Sequence, residues 1–283
     1  MDKRKIEENI FKVLMSISTL TVLAVVVFIL SVIVIKGLPA MNWAMVTQTP
    51  KGGYYLGKAG GILNAIVGSL YLAGGATFLA ILISLPVVLY INVYSKKDSP
   101  LVNFTRFSFD VLWGVPSIVY GAFGFAIMLF FHLWASLLAG IITVALFILP
   151  IISRAMDEVV KMVPRELLEA SYALGATRLE TSMKVVVRQA LPGIVTAVLI
   201  AFGRGIGDAA SVIFTAGFSD SIPSSLLSPA ATLPLAIFFQ LGTPFPEVQA
   251  RAYASALILT VIILIISIVS RVLSSRFTKH IVK

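Results

Sequence analysis

Two strings in this 283-residue chain carry side chains whose types and spacing point to chemistry inside a membrane. The first is GRGIGDAASVIFTAG, Gly203 to Gly217. Arg204 falls about 13 residues into an apolar run that begins near Leu191, close to mid-bilayer, where a charge is costly enough to be read as functional. A guanidinium is planar, permanently charged and matched to tetrahedral oxyanions. Asp208 follows four positions later on the same expected helix face. Gly203 and Gly207 form a G-x-x-x-G suited to close helix packing. Two readings stay open: Arg204 serves anion passage or gating, or Arg204 and Asp208 neutralise each other. That pair has the weaker orientation on a helix, and a buried pair need not stabilise more than apolar residues do.

The second string is WGVPSIVYG, Trp113 to Gly121. Pro116 frees a backbone carbonyl, and Ser117 and Tyr120 bring hydroxyls to membrane depth. Unpaired polar groups there are costly, so the break either faces protein or a water-lined path or is a tolerated kink satisfied by Ser117. An intramembrane enzyme needs a nucleophile or paired acids at depth, and Asp208 and Arg204 are the only clear ionisable residues deep in a span, so catalytic residues are not expected. With no cysteine, and with His132 and His280 far apart, neither a thiolate metal site nor a disulfide is available.

The densest run of charge lies elsewhere, in PRELLEASYALGATRLETSMKVVVRQALP, Pro164 to Pro192, between two apolar segments. Pro164 suits a first helical position. Leu167, Leu168 and Leu174 make an apolar stripe on a short amphipathic helix that Gly175 is placed to end. Thr177 and Glu180 form a T-x-x-E capping box opening a second helix. The pattern predicts two short helices joined at a glycine and held against a membrane, which is a docking element; an ordinary solvated loop helix is the plainer alternative.

The elements that position these strings are membrane helices. The chain is 58% hydrophobic and 12% charged, against about 25% charged in soluble domains, and its mean hydropathy is +0.99. A net charge of +9 raises nucleic acid as a partner, but its distribution argues otherwise. Lys3, Arg4, Lys5 and Lys12 precede the first span; Lys96, Lys97 and Arg106 fall between the second and third; Arg154, Lys161, Arg165, Arg178, Lys184 and Arg188 between the fourth and fifth; Arg271, Arg276, Lys279 and Lys283 in the tail. That is the positive-inside pattern for six spans with both termini cytoplasmic. The basic charge follows from topology.

At 1.5 Å per residue about 20 residues cross the hydrocarbon. Spans are expected at Val13–Ile35, read as an uncleaved helix, Ile62–Val93 with a kink at Pro86, Phe107–Phe131, a fourth from a short outer turn at His132 to Ser153, a fifth from Leu191, and Ala252–Ser270. In the outer loop, Gly52, Gly57 and Lys58 fit a nucleotide-binding G-x-x-x-x-G-K, but Ala59 stands where Ser or Thr must hold magnesium, and no strand precedes it. The chain is therefore expected to carry no ATPase site. Between Phe218 and Arg251 five prolines punctuate the chain, and Leu233–Leu241 is too short to cross; it reads as a re-entrant or interfacial segment, or as a plain loop.

Glu169, Ala170, Ser171 and Gly175 resemble the "EAA" loop of the membrane subunits of ATP-binding-cassette importers, which sits in a cleft of the ATPase subunit. In that family the pattern usually continues to Ile-x-Leu-Pro; here Val185, Val186, Val187 and Arg188 take that place, with Pro192 later. GVPSIVYG, EASYALG, the arginine string and SPAATLPLAIF, in this order, resemble the A-type permease subunits of phosphate importers of this class over nearly the whole length. The arginine string usually reads R-x-x-G-E-T there; Asp208 replaces the acid and Ala209 the threonine.

The resemblance implies an all-α polytopic membrane protein with the type I importer permease fold. Residues 1–61 would hold the N-terminal segment, first helix and outer loop, residues 62–274 the permease core with a coupling loop at 154–190, and residues 275–283 a cytoplasmic tail. It implies Glu169, Ala170, Ser171, Gly175, Thr177 and Glu180 as ATPase-coupling residues, with Arg204, Asp208, Ser117, Tyr120 and Pro116 along the substrate pathway. No cofactor would be bound by this chain, ATP and magnesium belonging to a cytoplasmic ATPase dimer. A sister permease, an external phosphate-binding protein and membrane lipid complete the expected partners, in the inner membrane of a bacterium or archaeon, with transport by alternating access. A permease for molybdate, tungstate or sulfate, an anion channel and, least of all, an intramembrane enzyme remain as other readings.

Overall fold

The computed structural model describes residues 3–51, 59–96 and 99–277. Helix α1, Lys3–Gly37, is 35 residues long, about 52 Å at 1.5 Å per residue and longer than the hydrocarbon is thick. Its apolar side chains face outward along most of its length. It is tied down at its end, where Lys36 lies 5.0 Å from the centre of the Tyr253 ring. A short helix α2, Trp43–Thr47, follows, capped by the Asn42 side chain. Strands β1, Pro50–Lys51, and β2, Ala59–Gly60, pair antiparallel. Gly52, Gly57 and Lys58 lie outside the described residues.

Helix α3, Leu63–Leu89, contains Pro86 and widens into a π turn at Tyr90–Tyr94. The third span is not the single helix expected from Phe107 to Phe131. Helix α4, Pro100–Trp113, and helix α5, Ser117–Phe130, meet at a 99° bend. Pro116 supplies no N–H and drives Val115 away from helical geometry, so the ladder cannot run through.

Helix α6, Leu137–Lys161, is the hub: 72% of its apolar window is buried, against none of that of α1 or of the last helix. Small residues allow the close approach that lipid does not drive. A Cβ at Gly140 would lie 2.8 Å from Leu72, and one at Gly75 2.7 Å from Ile141. Leu72, Ala76, Ala80, Val144, Ile148, Ile152, Val186 and Ala201 build the core between α3, α6 and the following long helix. Helix α6 passes the expected end at Ser153 and runs to Lys161, because Asp157 anchors its charged last turns.

After α6 come α7, Arg165–Ala173, and α8, Arg178–Glu180, then a π turn, Thr181–Val186, leading into α9, Val187–Ile206. Helix α9 begins before the expected Leu191 and holds Pro192 inside it. Turns follow, then α10, Leu233–Leu241, and α11, Pro246–Phe277, longer at both ends than the expected sixth span. The short apolar piece at 233–241 is a helix rather than a plain loop, capped by Thr232 and with Leu233, Leu235, Ala236 and Gln240 buried. Five helices among the described residues are long and apolar enough to cross a membrane, or six when α4 and α5 count as one bent span.

The connecting segment fits because its backbone polar groups find partners. Ser136, Leu137 and Leu138 N–H groups, at the start of α6, donate to the carbonyls of Thr215, Ser228 and Leu226. Leu233 N–H donates to Ser69 Oγ on α3 at 2.8 Å, next to Gly68, whose Cβ position falls on the Ala231 carbonyl. Gly68→Ala is expected to lower stability by about 1–3 kcal/mol through overpacking. Gly74→Ala, where a methyl meets open space, is expected to be neutral or slightly stabilising; thermal unfolding of the two purified variants checks the contrast.

Candidate functional site

The break in the third span and the end of α9 meet around one aromatic ring. Arg204, in the last turn of α9, places its guanidinium carbon 5.4 Å from the centre of the Phe147 ring. Tyr120 of α5 packs against the same ring edge-on, with centroids 5.9 Å apart. Phe147 lies about midway along α6, so the cation is level with the middle of that helix. Cation–π contact of this kind contributes about 0.5–2 kcal/mol, more where water is excluded. Arg204 is exposed on the chain's surface, and among the described residues it makes no hydrogen bond or ion pair.

The pairing of Arg204 with Asp208 does not form. Helix α9 ends at Ile206, with Gly207 as its C-cap, so Asp208 leaves the expected helix face. Its Oδ2 instead accepts from the Ser211 N–H at 2.7 Å, fixing the turn that follows. The G-x-x-x-G pair is also not a tight contact: a Cβ at Gly203 would meet open space, and one at Gly207 mainly its own helix. The close glycine is Gly205, whose Cβ position lies 3.2 Å from Val144.

Across the bend, Tyr120 donates its hydroxyl to the Leu112 carbonyl at 2.9 Å. That carbonyl also accepts the Val115 N–H at 3.1 Å, so Tyr120 rather than Ser117, half-buried beside exposed Pro116, adds the side-chain bond across the bend. Gly121 is needed one residue on, since a Cβ there would lie 2.8 Å and 2.9 Å from the carbonyl oxygens of Ala210 and Ser211. The structure thus brings Tyr120, Arg204 and the Asp208 turn to one region. Phe147 has a weak signal in the sequence: it is the one aromatic residue of α6.

Between α6 and α9, α7 is followed by Gly175 at φ +81°, with Ala176 N–H bonded to the Ser171 carbonyl and Gly175 N–H to that of Tyr172. This is a left-handed glycine stop. The capping box is complete: Glu180 N–H donates to Thr177 Oγ1, and Thr177 N–H to Glu180 Oε2 at 3.1 Å. Pro164 is the N-cap, one position before the first helical residue, and Leu174 leaves the apolar stripe because α7 has ended; it is 89% exposed. Glu169 and Ala170 are exposed as well. Ser171 and Thr181 join their hydroxyls at 2.9 Å, bracing the two short helices.

Residues 84–279 match the family of binding-protein-dependent transport system inner membrane components. The chain belongs to this family. Among its relatives are the phosphate transport system permease protein PstA of Yersinia pestis, 34% identical over 90% of this chain and 85% of that protein, and that of Haemophilus influenzae, 32% identical over 95% and 94%. The fold is also similar to that of an inward-facing structure of the MetNI methionine ABC transporter, with a TM-score of 0.60 at 19% identity over 76% of this chain and 95% of that one.

In this family member the inner loop is fastened to the helices by buried charge. Asp157 of α6, with no exposure, receives Arg106 Nε at 3.0 Å, Lys161 Nζ at 2.7 Å and Asn92 Nδ2 at 2.8 Å, with Arg154 at 3.6 Å. Arg106 also donates to Asn92 Oδ1. The network ties α4 and the π turn to α6, and Arg178 donates to the Tyr94 carbonyl at 3.0 Å, linking that π turn to the loop. Its sequence signal is spacing: Arg154 and Lys161 flank Asp157 at one helical turn on either side. Removing one partner of a buried pair leaves charge uncompensated, so Asp157→Ala is expected to cost about 3–5 kcal/mol. Asp110→Ala, at a half-exposed carboxylate bonded to Arg154, is expected to cost under about 1 kcal/mol; unfolding midpoints of the two variants distinguish them.

Proposed function

We propose that this chain is the permease subunit of an ATP-driven importer that carries inorganic phosphate across the inner membrane by alternating access. The names of the relatives, phosphate transport system permease proteins at similar identity along almost the whole chain, support the substrate. The observation that carries the reading is Arg204, a mid-membrane guanidinium resting on Phe147 with its N–H donors unused by Asp208. A fork of free donors at that depth is suited to an oxyanion in transit. Tyr120 positions the bend beside it.

The exposed α7, Gly175 and the capping box at Thr177 and Glu180 are the docking surface for a cytoplasmic ATPase, which holds the ATP and magnesium. Glu169, Ala170 and Ser171 lie on the short helix that enters it. ATP closure of an ATPase dimer moves this loop as a lever, and the helices carrying Pro116, Ser117 and Arg204 open outward to take phosphate from an external binding protein. A sister permease completes the path, and both termini face the cytoplasm.

Arg204→Gln, at normal membrane levels, is expected to reduce phosphate uptake about 10- to 100-fold, equivalent to the ~1.5–3 kcal/mol of hydrogen bonds to a charged group. Arg204→Lys should restore it incompletely, because an ammonium lacks the planar fork. Uptake of sulfate or molybdate by the wild type in place of phosphate would move the substrate to another oxyanion. A β-branched residue at a left-handed position costs about 1–2 kcal/mol, a factor of roughly 5–30. Gly175→Val should therefore release the ATPase subunit on co-purification, whereas Gly175→Asn, which tolerates that conformation, should retain it.

A further inference from the structure

The helix body and α7 border a partly open cavity of about 250 Å³, apart from the Arg204 region. That is room for an ion with several waters, each taking about 30 Å³. Five elements wall it: the end of the first π turn with Ser95, α4 with Arg106, the last turn of α6 with Lys161, α7 with Arg165 and Leu168, and the second π turn with Val186.

The cations face this space and the carboxylates do not. Asp157 is shut behind Arg106 and Lys161, while Asp110 and Glu158 are about half exposed and do not line the cavity. Arg106, Arg154 and Lys161 are balanced by Asp157, Asp110 and Glu158, so the charge left over on the cavity side is that of Arg165. Arg165 makes no hydrogen bond or ion pair among the described residues, and neither the second terminal nitrogen of Arg106 nor the Ser95 hydroxyl has a partner there. Two guanidiniums and an ammonium around a small space match the geometry and charge of a phosphate group.

We propose that this cavity is a second oxyanion site, on the cytoplasmic side, which takes a phosphate group between Arg165 of the loop and Arg106 and Lys161 of the helix body. The phosphate group is that of free inorganic phosphate or of an anionic lipid headgroup. An occupant bridges α7 to α4 and α6 and holds the loop in the position seen here. The inference rests on the proposed function only for the side of the membrane the cavity faces.

The chain has no cysteine, so Ser95→Cys gives it a single thiol at the cavity wall. The test is the rate at which a small cationic methanethiosulfonate modifies that thiol in the chain purified with its accompanying subunits into phosphatidylcholine nanodiscs. Inorganic phosphate is expected to slow modification, about tenfold at roughly ten times its Kd since only the empty site reacts, whereas chloride of equal ionic strength is not. Protection seen only when the nanodiscs contain phosphatidylglycerol assigns the site to the lipid headgroup, and protection by added phosphate in neutral nanodiscs assigns it to the free ion. Arg165→Gln should abolish protection and Arg165→Lys retain most of it. Arg204→Gln should leave protection unchanged, which separates this site from the transport path. The proposal is overturned if neither source protects, if chloride protects equally, or if protection survives Arg165→Gln.

Discussion

A backbone that crosses hydrocarbon has to satisfy its own N–H and carbonyl groups, and an unbroken helix is the simplest way to do so. This chain departs from that solution twice at membrane depth, between Trp113 and Ser117 and again after Ile206. Both departures are tolerated because they are folded against each other and against α6. Tyr120 and the Val115 N–H both bond the Leu112 carbonyl, Asp208 serves the Ser211 N–H, and Gly121 lets the two irregular segments touch. The irregular backbone of residues 215–228 in turn completes the first turn of α6. Arg204 is placed where helical structure has been given up and reassembled from side chains.

The end of the helix body around Asp157 adds a different rule: there the helices are fixed by charge as well as by close contacts such as that of Gly193 with Val159. Asp157 gathers cations from α4 and its own helix and an amide from the π turn, while Arg178 reaches the same π turn from the loop. The π turn at Tyr90–Tyr94 is thus joined on one side to the helix body, through the Asn92 amide, and on the other to the loop at Arg178, through the Tyr94 carbonyl. Helix α4 shares that node through Arg106, and α4 leads directly into the bend beside Tyr120.

Much of this was readable from residue types. The apolar runs located the membrane helices, Gly175 and the Thr177–Glu180 pair marked the loop's turn and restart, and Pro116 marked the bend. Helix ends were less legible. Hydropathy falls at Ser153, yet α6 continues because its polar last turns are held by partners distant in sequence. The sequence is apolar again from Ala209 to Phe214, yet α9 stops at Ile206, because the following turn packs on Gly121 and is fixed by Asp208. A helical wheel puts Arg204 and Asp208 together only if the helix lasts that long. The role of Phe147 depends on which helix lies opposite, and local pattern carries no record of that.

The platform beneath Arg204 has a consequence for turnover. A carboxylate partner would occupy the guanidinium's donors and require any arriving ion to compete for them, whereas a ring supports the charge from one side and consumes none. On the anion path proposed above, such a perch would greet an anion quickly and give it up as readily. A conductor that must release its cargo many times over needs that looseness more than it needs grip.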